Sequence, residues 1–558
     1  MKKEINAVLA HYMSDVADAE TLARMLETPP DEQLGDLSLP CFSFARVLKK
    51  SPQAIAADFA AKLQDHPLFA KVAAVGGYLN LFINRHYLSE TVLSTSLDAP
   101  LPPTGRSVVV EYCSPNTNKP LHLGHLRNMA IGESVARLLD FQGNRITKTC
   151  IFNDRGVHIC KSMLAYQLYG QGATPQSLGI KSDHFVGNFY VLFARKLAEN
   201  PQLEEQAQAM LASWEAEDPA VRSLWQTMNR WAFEGFEETF ARFGTAFDTA
   251  FYESNIYSQG RAIIMDGVKK GIFTIREDGA VIADLSASGL DEKVLLRSDG
   301  TSVYIVQDVY LAHLKKEKFA YDESIYVVGN EQDYHFKVLK KLLEMSGAQC
   351  AAGIRHLSYG MVELPEGKMK SREGTVVDAD DLIASTTQLA AQEIRLRQTL
   401  PEEEIQRRGL VVALAAIKYQ LLKTETTKNM LFNPSEAIRF EGDTGPYLLY
   451  SYARAASILR KATVAPEISG WDANPFEARL LKHLSRFPEV VATSAKGLMP
   501  SLLAVYATEL CQAFNQFFHE CPVLRSHLEP QRLALVTQFR SVLGRALYLL
   551  GIDVLEEM

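Results

Sequence analysis

The stretch SVVVEYCSPNTNKPLHLGHLRNMAIGESVARLLDFQGNRITKTCIF, residues 107–152, outlines the fold of the middle of the chain. SVVVEY (107–112) is a short, apolar, β-branched run of the kind that forms a strand buried in a parallel sheet. A helical pattern, LRNMAIGESVARLLDFQG, begins at 126, and RITKTCIF (145–152) reads as another strand. Strand, loop, long helix and strand make a βαβ unit, so an α/β domain is expected here. In open parallel sheets, ligands sit beyond the carboxyl ends of the strands, where helix N-termini offer unpaired N–H groups and a positive dipole end. SPNTNKPLHLGH (114–125) lies at such a place. His122 and His125 flank Gly124 at the helix mouth; imidazoles can donate to phosphate oxygens, and a glycine lets a flat base approach the backbone. That chemistry suits ATP. Taken as four residues alone, an HxxH pair reads more readily as a helix cap or a metal-binding pair. No nearby acidic or cysteine ligand has suitable spacing for a metal, and none is expected.

Working outward, RITKTCIF is followed from about 160 to 245 by a helical pattern rich in Glu, Gln and Trp, which reads as an insertion splitting one sheet domain. Strands are expected again over 273–306, around TIREDGAVIADL and VLLRSDGTSVYIV. IYVVG (325–329) and the helix pattern after it repeat the strand-then-helix theme, and HLSYGMVEL (356–364) is a last strand before GKMKSREG. Beyond about 385 nearly everything is amphipathic at 3.6 spacing, punctuated by Pro401, Pro434, Pro446, Pro466, Pro475 and Pro488. Toward the N-terminus, QAIAADFAAKLQ (53–64) is helical and KVAAVGGYLNLFIN (71–84) reads as strand, Gly-Gly turn and strand. APLPPTG (99–105) is the best linker in the chain. The expected division is 1–105, an α/β domain over 106–385, and a helical bundle over 386–558.

A chain of 558 residues, 47% hydrophobic and 22% charged, is globular in composition. Its N-terminus lacks a signal-type cleavage site, and no later stretch gives about 18 uninterrupted apolar residues. A soluble, cytoplasmic protein is expected. Cys41, Cys113, Cys150, Cys160, Cys350, Cys511 and Cys521 form no CxxC pair, which suits a reducing compartment; Cys113 reads as a small buried hydrophobe. The net charge of −8 alone argues against nucleic acid. Affinity for a phosphate backbone depends on local patches, however, and Arg454, Arg460 and Lys461 share one predicted helix, for which an ordinary solvated face is at least an equal reading.

HLGH resembles the HIGH signature of class I aminoacyl-tRNA synthetases, and EYCSPNTNKPLHLGHLRN closely resembles its form in arginyl-tRNA synthetases. GKMKSREG (367–374) stands where that family has its KMSKS loop. There Lys368, Lys370 and Arg372 can neutralise charge that develops as pyrophosphate leaves. The loop departs from the pattern: Lys370 stands at the first serine and Ser371 at the second lysine. The resemblance implies that Lys119, just before HLGH, substitutes. It also implies ATP contacts from Lys119, His122, Gly124, His125, Lys368, Lys370 and Ser371, with Lys119, His122, His125 and Lys368 catalytic.

A guanidinium pocket needs a carboxylate in bidentate reach and preferably an aromatic wall. TSVYIVQD (301–308) is similar to the segment carrying the family's arginine-binding Tyr and Asp, here Tyr304 and Asp308. On spacing alone Asp308 reads more usually as an N-cap at a strand-to-helix junction. The resemblance also implies Asn116 at the substrate's α-amino or carboxylate end and Gln332 beside it. Glu111 and Glu253 are supporting acids for which a structural salt bridge is an equal reading. NDRG (153–156) has Arg155 where the family usually has Trp.

The resemblance spans essentially the whole chain. GDLSLPCFSFARVLKKSPQAIA looks like the family's extra N-terminal tRNA-binding domain, and FEGDTGPYLLYSYARAASILRKA (440–462) like the start of its helical anticodon-binding domain. It implies a Rossmann-like catalytic domain between them and a monomer. The expected reaction joins arginine to magnesium-bound ATP as arginyl-adenylate, then passes the arginyl group to tRNA(Arg); the first step is expected to need bound tRNA. Another class I synthetase would share both signatures but lack the guanidinium pocket. A non-catalytic tRNA-binding descendant would not require His122, His125 and Lys368.

Overall fold

The computed structural model describes residues 2–363 and 377–558. Its N-terminal unit sets four helices of seven residues or more against an antiparallel sheet of β1 (Leu37–Pro40), β2 (Phe69–Val75) and β3 (Tyr78–Ile83), in the order β1-β3-β2. The Gly76-Gly77 turn between β2 and β3 uses φ of 59° and 91°, open to glycine without steric cost. This unit docks on the C-terminal helices, where Arg85 donates to the Ala473 carbonyl and Ser89 to that of Trp471.

The central sheet contains β4 (Ser107–Glu111), β5 (Arg145–Phe152), β6 (Thr249–Tyr252), β10 (Glu323–Gly329) and β11 (Ile354–Tyr359), all parallel, in the order β11-β10-β4-β5-β6. From β4 the chain first builds to one side, through β5 and β6, and later to the other, through β10 and β11. The strand order therefore reverses at the β4–β10 pair, which opens a crevice at their carboxyl ends. The helix Leu123–Phe141 runs from β4 to β5 and is buried along nearly its whole length, between the sheet and the C-terminal helices. Gly132 permits that closeness: a Cβ there would lie 2.3 Å from Cγ of Tyr112.

Two sequence expectations change. The helical insertion, Val157–Tyr169 through Pro219–Phe243, has a core of its own, and the central sheet resumes at β6 rather than near 273. The strands after it, β7 (Thr274–Ile275), β8 (Val281–Ala283) and β9 (Lys293–Leu296), form a separate antiparallel sheet. VYIV is not a strand: Tyr304–Phe319 is a helix that buries Ile305, Val306, Val309 and Ala312. Its 3.6-residue period outweighs the local β preference of a branched run.

HLSYGMVEL likewise divides at Gly360. β11 ends at Tyr359, and β12 (Val362–Glu363) pairs instead with β13 (Met430–Leu431). The C-terminal part is helical as expected, with long helices at Ala379–Arg397, Glu402–Lys423, Gly445–Lys461, Pro475–Gly497, Pro500–Glu520 and Glu529–Leu549. Pro488 does not punctuate; it lies inside Pro475–Gly497. The seven cysteines are buried free thiols. Among the described residues no helix is long and apolar enough to cross a membrane.

Candidate active site

The backbone turns sharply where β4 ends. Cys113 and Ser114 both take positive φ, 77° and 43°, a conformation that costs of order 1–3 kcal/mol per non-glycine residue. Two asparagines hold it. Asn128 Oδ1 accepts from the Cys113 N–H at 2.6 Å, and Asn153 Nδ2 donates to the Ser114 carbonyl at 3.2 Å. Asn116 pairs with Asn153 through the backbone and lies exposed at the mouth of the crevice.

His122 is the N-cap of the Leu123–Phe141 helix. Its Nδ1 accepts from the Gly124 N–H at 3.1 Å, and His125 Nδ1 accepts from the His122 N–H at 3.1 Å. The capping use of HLGH and a phosphate-binding use are thus compatible. With both Nδ1 atoms accepting, each neutral ring carries its proton on Nε2, a donor. Burial and the nearby Lys119 charge push His122 down to about 3, and burial with His122 and Lys119 pushes His125 well below its ordinary range. At neutral pH the pair is uncharged, with ring centroids 3.9 Å apart. Burial also lowers Lys119. The insertion reaches this point as well: a Cβ on Gly187 would meet Pro120 Cδ at 2.6 Å.

Tyr304 and Asp308 stand one turn apart on their helix, so Asp308 is not an N-cap. Asp308 Oδ2 lies 2.7 Å from His335 Nε2. Three carboxylates, Asp308 first and then Glu253 and Glu111, help hold the Tyr304 phenol protonated. Glu111 pairs with Lys315, whose side chain is fully buried and lies 4.1 Å from the Tyr326 ring centroid. Burial raises Glu111 and lowers Lys315, and their contact opposes both shifts. Glu253 opens the turn after β6 and is pushed up to about 7 by burial, against the pull of Arg155 and a Gln307 hydrogen bond. Gln332 closes the short turn Asn330–Gln332 after β10. Two groups of side chains thus stand out: uncharged imidazoles beside one lysine at the start of the helix after β4, and carboxylates gathered round the Tyr304 ring.

The family model for the catalytic domain of class I tRNA synthetases (R) matches residues 89–434; those for the DALR anticodon binding domain and the arginyl tRNA synthetase N terminal domain match 448–558 and 1–83. The chain is 43% identical to the arginine–tRNA ligase of Bacteroides fragilis, over 99% of this chain and 98% of that one. This chain belongs to the arginyl-tRNA synthetase family. It is 45% identical to the arginine–tRNA ligase of Treponema denticola, over 96% of this chain and 94% of that one. The structure of Thermus thermophilus arginyl-tRNA synthetase superposes with a TM-score of 0.82, covers 100% of both chains and is 27% identical.

Within this synthetase fold, some residues escaped sequence reasoning. Arg127 and Asn128 are adjacent polar residues between Leu126 and the apolar run Met129–Ile131, a signal the sequence carries. Arg127 is fully buried and donates to the carbonyls of Gly360, Met361, Thr426 and Lys428 at 2.7–3.2 Å. Lys315 and His335 gave no local signal, since their partners are distant in the chain. Arg155 now has an environment: its guanidinium lies 3.8 Å from the Tyr257 ring centroid and pairs with Glu215 at 2.5 Å. The same loop is clamped by Trp225 and Asn229, both donating to the Asp154 carbonyl.

Lys368, Lys370, Ser371 and Arg372 lie outside the described residues. The basic trio of the C-terminal part shares the helix Gly445–Lys461, as expected. Arg460 pairs with Glu557, whereas Arg454 packs on Tyr450 and Phe518 and donates to Asn515.

Proposed function

We infer that this synthetase is an arginine–tRNA ligase that forms arginyl-adenylate from L-arginine and ATP, then transfers the arginyl group to the 3′-terminal adenosine of tRNA(Arg), releasing AMP and pyrophosphate. The observation that supports the reading is that the uncharged His122 and His125 open the helix after β4, where the strand order reverses, while Asp308, Glu253 and Glu111, the last at the end of β4, gather round Tyr304. A cationic side chain fits the carboxylates and a polyphosphate the imidazoles, so the arginine carboxylate would reach the α-phosphorus between them.

The first step forms a bond from that carboxylate oxygen to the α-phosphorus and breaks the bond to the pyrophosphate oxygen. Almost no proton transfer is involved, so the catalytic contribution is positioning and charge stabilisation. His122 and His125, neutral with Nε2–H donors, bind phosphate oxygens without adding a proton. Lys119 supplies the cation, supported by its burial beside them. Lys368, Lys370 and Ser371 are assigned to the phosphates, and Gly124 to the approach of the base, on sequence grounds. Tyr304 walls the arginine side chain and Asp308 binds its guanidinium. Glu253 and Glu111 add negative potential, and Gln332 and Asn116 orient the α-amino end.

ATP enters as its magnesium complex. The boundaries near 105 and 385 separate an N-terminal tRNA-binding unit, the catalytic domain and the anticodon-binding helices. The seven buried free thiols support a reducing, cytoplasmic setting, and the family resemblance supports a monomer. The deciding experiment is aminoacylation of tRNA with arginine against the other amino acids. Charging by arginine alone supports the reading; charging by another amino acid, or tRNA binding without charging, overturns it.

A further inference from the structure

The HLGH segment is held from outside as well as by its own caps. The Leu123 N–H donates to the Val377 carbonyl at 3.0 Å, the Ala379 N–H donates to the Leu121 carbonyl at 3.0 Å, and His122 forms an antiparallel bridge with Asp378. Residues 377–379 thus lie as a short strand along 121–123. Asp378 then caps the helix Ala379–Arg397, accepting from the N–H groups of Asp380 and Asp381 at 2.8 and 3.0 Å.

What fixes that short strand is a polar cluster reaching over from the helical insertion. Asp380 Oδ2 accepts from Lys181 Nζ at 2.9 Å and from the Thr239 hydroxyl at 2.9 Å, with His184 Nε2 at 3.5 Å. Arg242 lies 3.8 Å from Asp380 Oδ1. Lys181 also donates to Asp183, itself buried against Gly235 so closely that a Cβ there would lie 2.3 Å from Asp183 Oδ1. His184 reaches Asp378 at 3.2 Å.

Asp183, His184 and Asp380 bring ligand atoms within 4.8 Å of one another, a spacing that fits a metal ion. The Lys181 ammonium lies 2.9 Å from both Asp183 Oδ1 and Asp380 Oδ2 and so takes the place a cation would fill. The cluster is an internal ion-pair network rather than a metal centre.

We propose that Asp380, held by Lys181 and His184, is a positioning group for His122: through the backbone of 377–379 it sets the register and height of the imidazole that meets ATP. The insertion is thereby coupled to the chemistry, although none of its cluster residues touches substrate. The alternative is that the cluster only glues the insertion to the helix that Asp378 caps. The two differ in what they do to catalysis. A positioning group acts on the chemical step through His122, because a displacement of about 1 Å can cost up to roughly 100-fold. Glue acts on stability and leaves the rate constant alone.

This inference rests on the reading of His122 as a phosphate ligand, so the test includes that residue. Arginine-dependent ATP–pyrophosphate exchange is measured in the presence of tRNA for Asp380→Asn, Lys181→Met, Lys181→Arg, His122→Asn and the double variant Asp380→Asn with His122→Asn, with a thermal midpoint for each. Asp380→Asn and Lys181→Met are expected to lower kcat roughly 10- to 100-fold with the KM for arginine unchanged, and Lys181→Arg to retain most of the rate. In the double variant the second change should add almost nothing, because both act through one group.

Wild-type kcat in both Asp380→Asn and Lys181→Met beside an impaired His122→Asn overturns the positioning role while leaving the active-site reading intact. Independent, multiplying losses in the double variant overturn it too. Unimpaired His122→Asn overturns both. If Asp380→Asn does not fold, Lys181→Met and the half-buried His184→Gln carry the same comparison.

Discussion

His335 Nε2 and Asp308 Oδ2 are 2.7 Å apart although the residues come from two helices on either side of β10. The imidazole fixes the orientation of that largely covered carboxylate. In the assigned role Asp308 faces the guanidinium, so Asp308→Asn should reduce kcat/KM for arginine by about 2–4 kcal/mol, roughly 30- to 1,000-fold. The KM for ATP should hardly move. Initial-rate kinetics varying each substrate in turn decide it; equal effects on both remove Asp308 from the arginine pocket. His335→Gln should give a smaller loss of the same kind.

Glu253 is half ionised near pH 7. A carboxylate that gains charge as pH rises attracts a guanidinium more strongly, so the KM for arginine should fall between pH 6 and 8, the pH range around the Glu253 pKa of about 7. Glu253→Gln should flatten that trend. The stability effect has the opposite sign. The unfolded carboxylate loses its proton near 4.5 and the folded one near 7, so stability from this group falls as pH rises across that window. A profile of KM that keeps its slope in Glu253→Gln assigns the dependence elsewhere.

The buried histidines act in acid. An unfolded imidazole takes a proton below about 6.5, whereas His122 stays neutral down to about 3. Protons then bind the unfolded chain preferentially, and stability should decline as pH falls through that interval. His122→Asn, with no titrating ring, should reduce the slope of the thermal midpoint against pH between 6.5 and 4, a window inside the His122 shift.

Arg127 is the strongest stability prediction. Arg127→Met leaves the carbonyls of Gly360, Met361, Thr426 and Lys428 without their donor. The expected cost is about 3–5 kcal/mol, because each buried acceptor keeps its desolvation penalty. Denaturant unfolding measures it. A loss below about 1 kcal/mol would show that water or a neighbouring donor replaces the guanidinium.

Adenylate formation is expected to depend on tRNA. ATP–pyrophosphate exchange with arginine should be slow without tRNA and rise when tRNA(Arg) is added. Full-rate exchange in its absence would end that expectation.

Much of this molecule is readable from local pattern. The apolar run at 107–112, the helical spacing after 126 and the strand at 145–152 specify a βαβ unit because each depends on residues a few positions apart. Motif order also placed HLGH before the Tyr304–Asp308 pair. Where local signals conflict, pattern failed: VYIV looks like a strand until the helical burial of Ile305, Val306 and Val309 is seen, and Pro488 looks like a helix end although its helix continues.

The sequence by itself determined which chemical groups are available and that a parallel α/β sheet would carry them, since period, turn residues and motif spacing are properties of neighbouring positions. Only the tertiary structure decided who partners whom: His335 with Asp308, Lys315 with Glu111, and Lys181 with Asp380. Those pairs join residues 27, 204 and 199 positions apart respectively, differences taken from the same residue numbers. A buried charge is stable only where packing brings its counter-ion within reach, and no local pattern encodes that meeting.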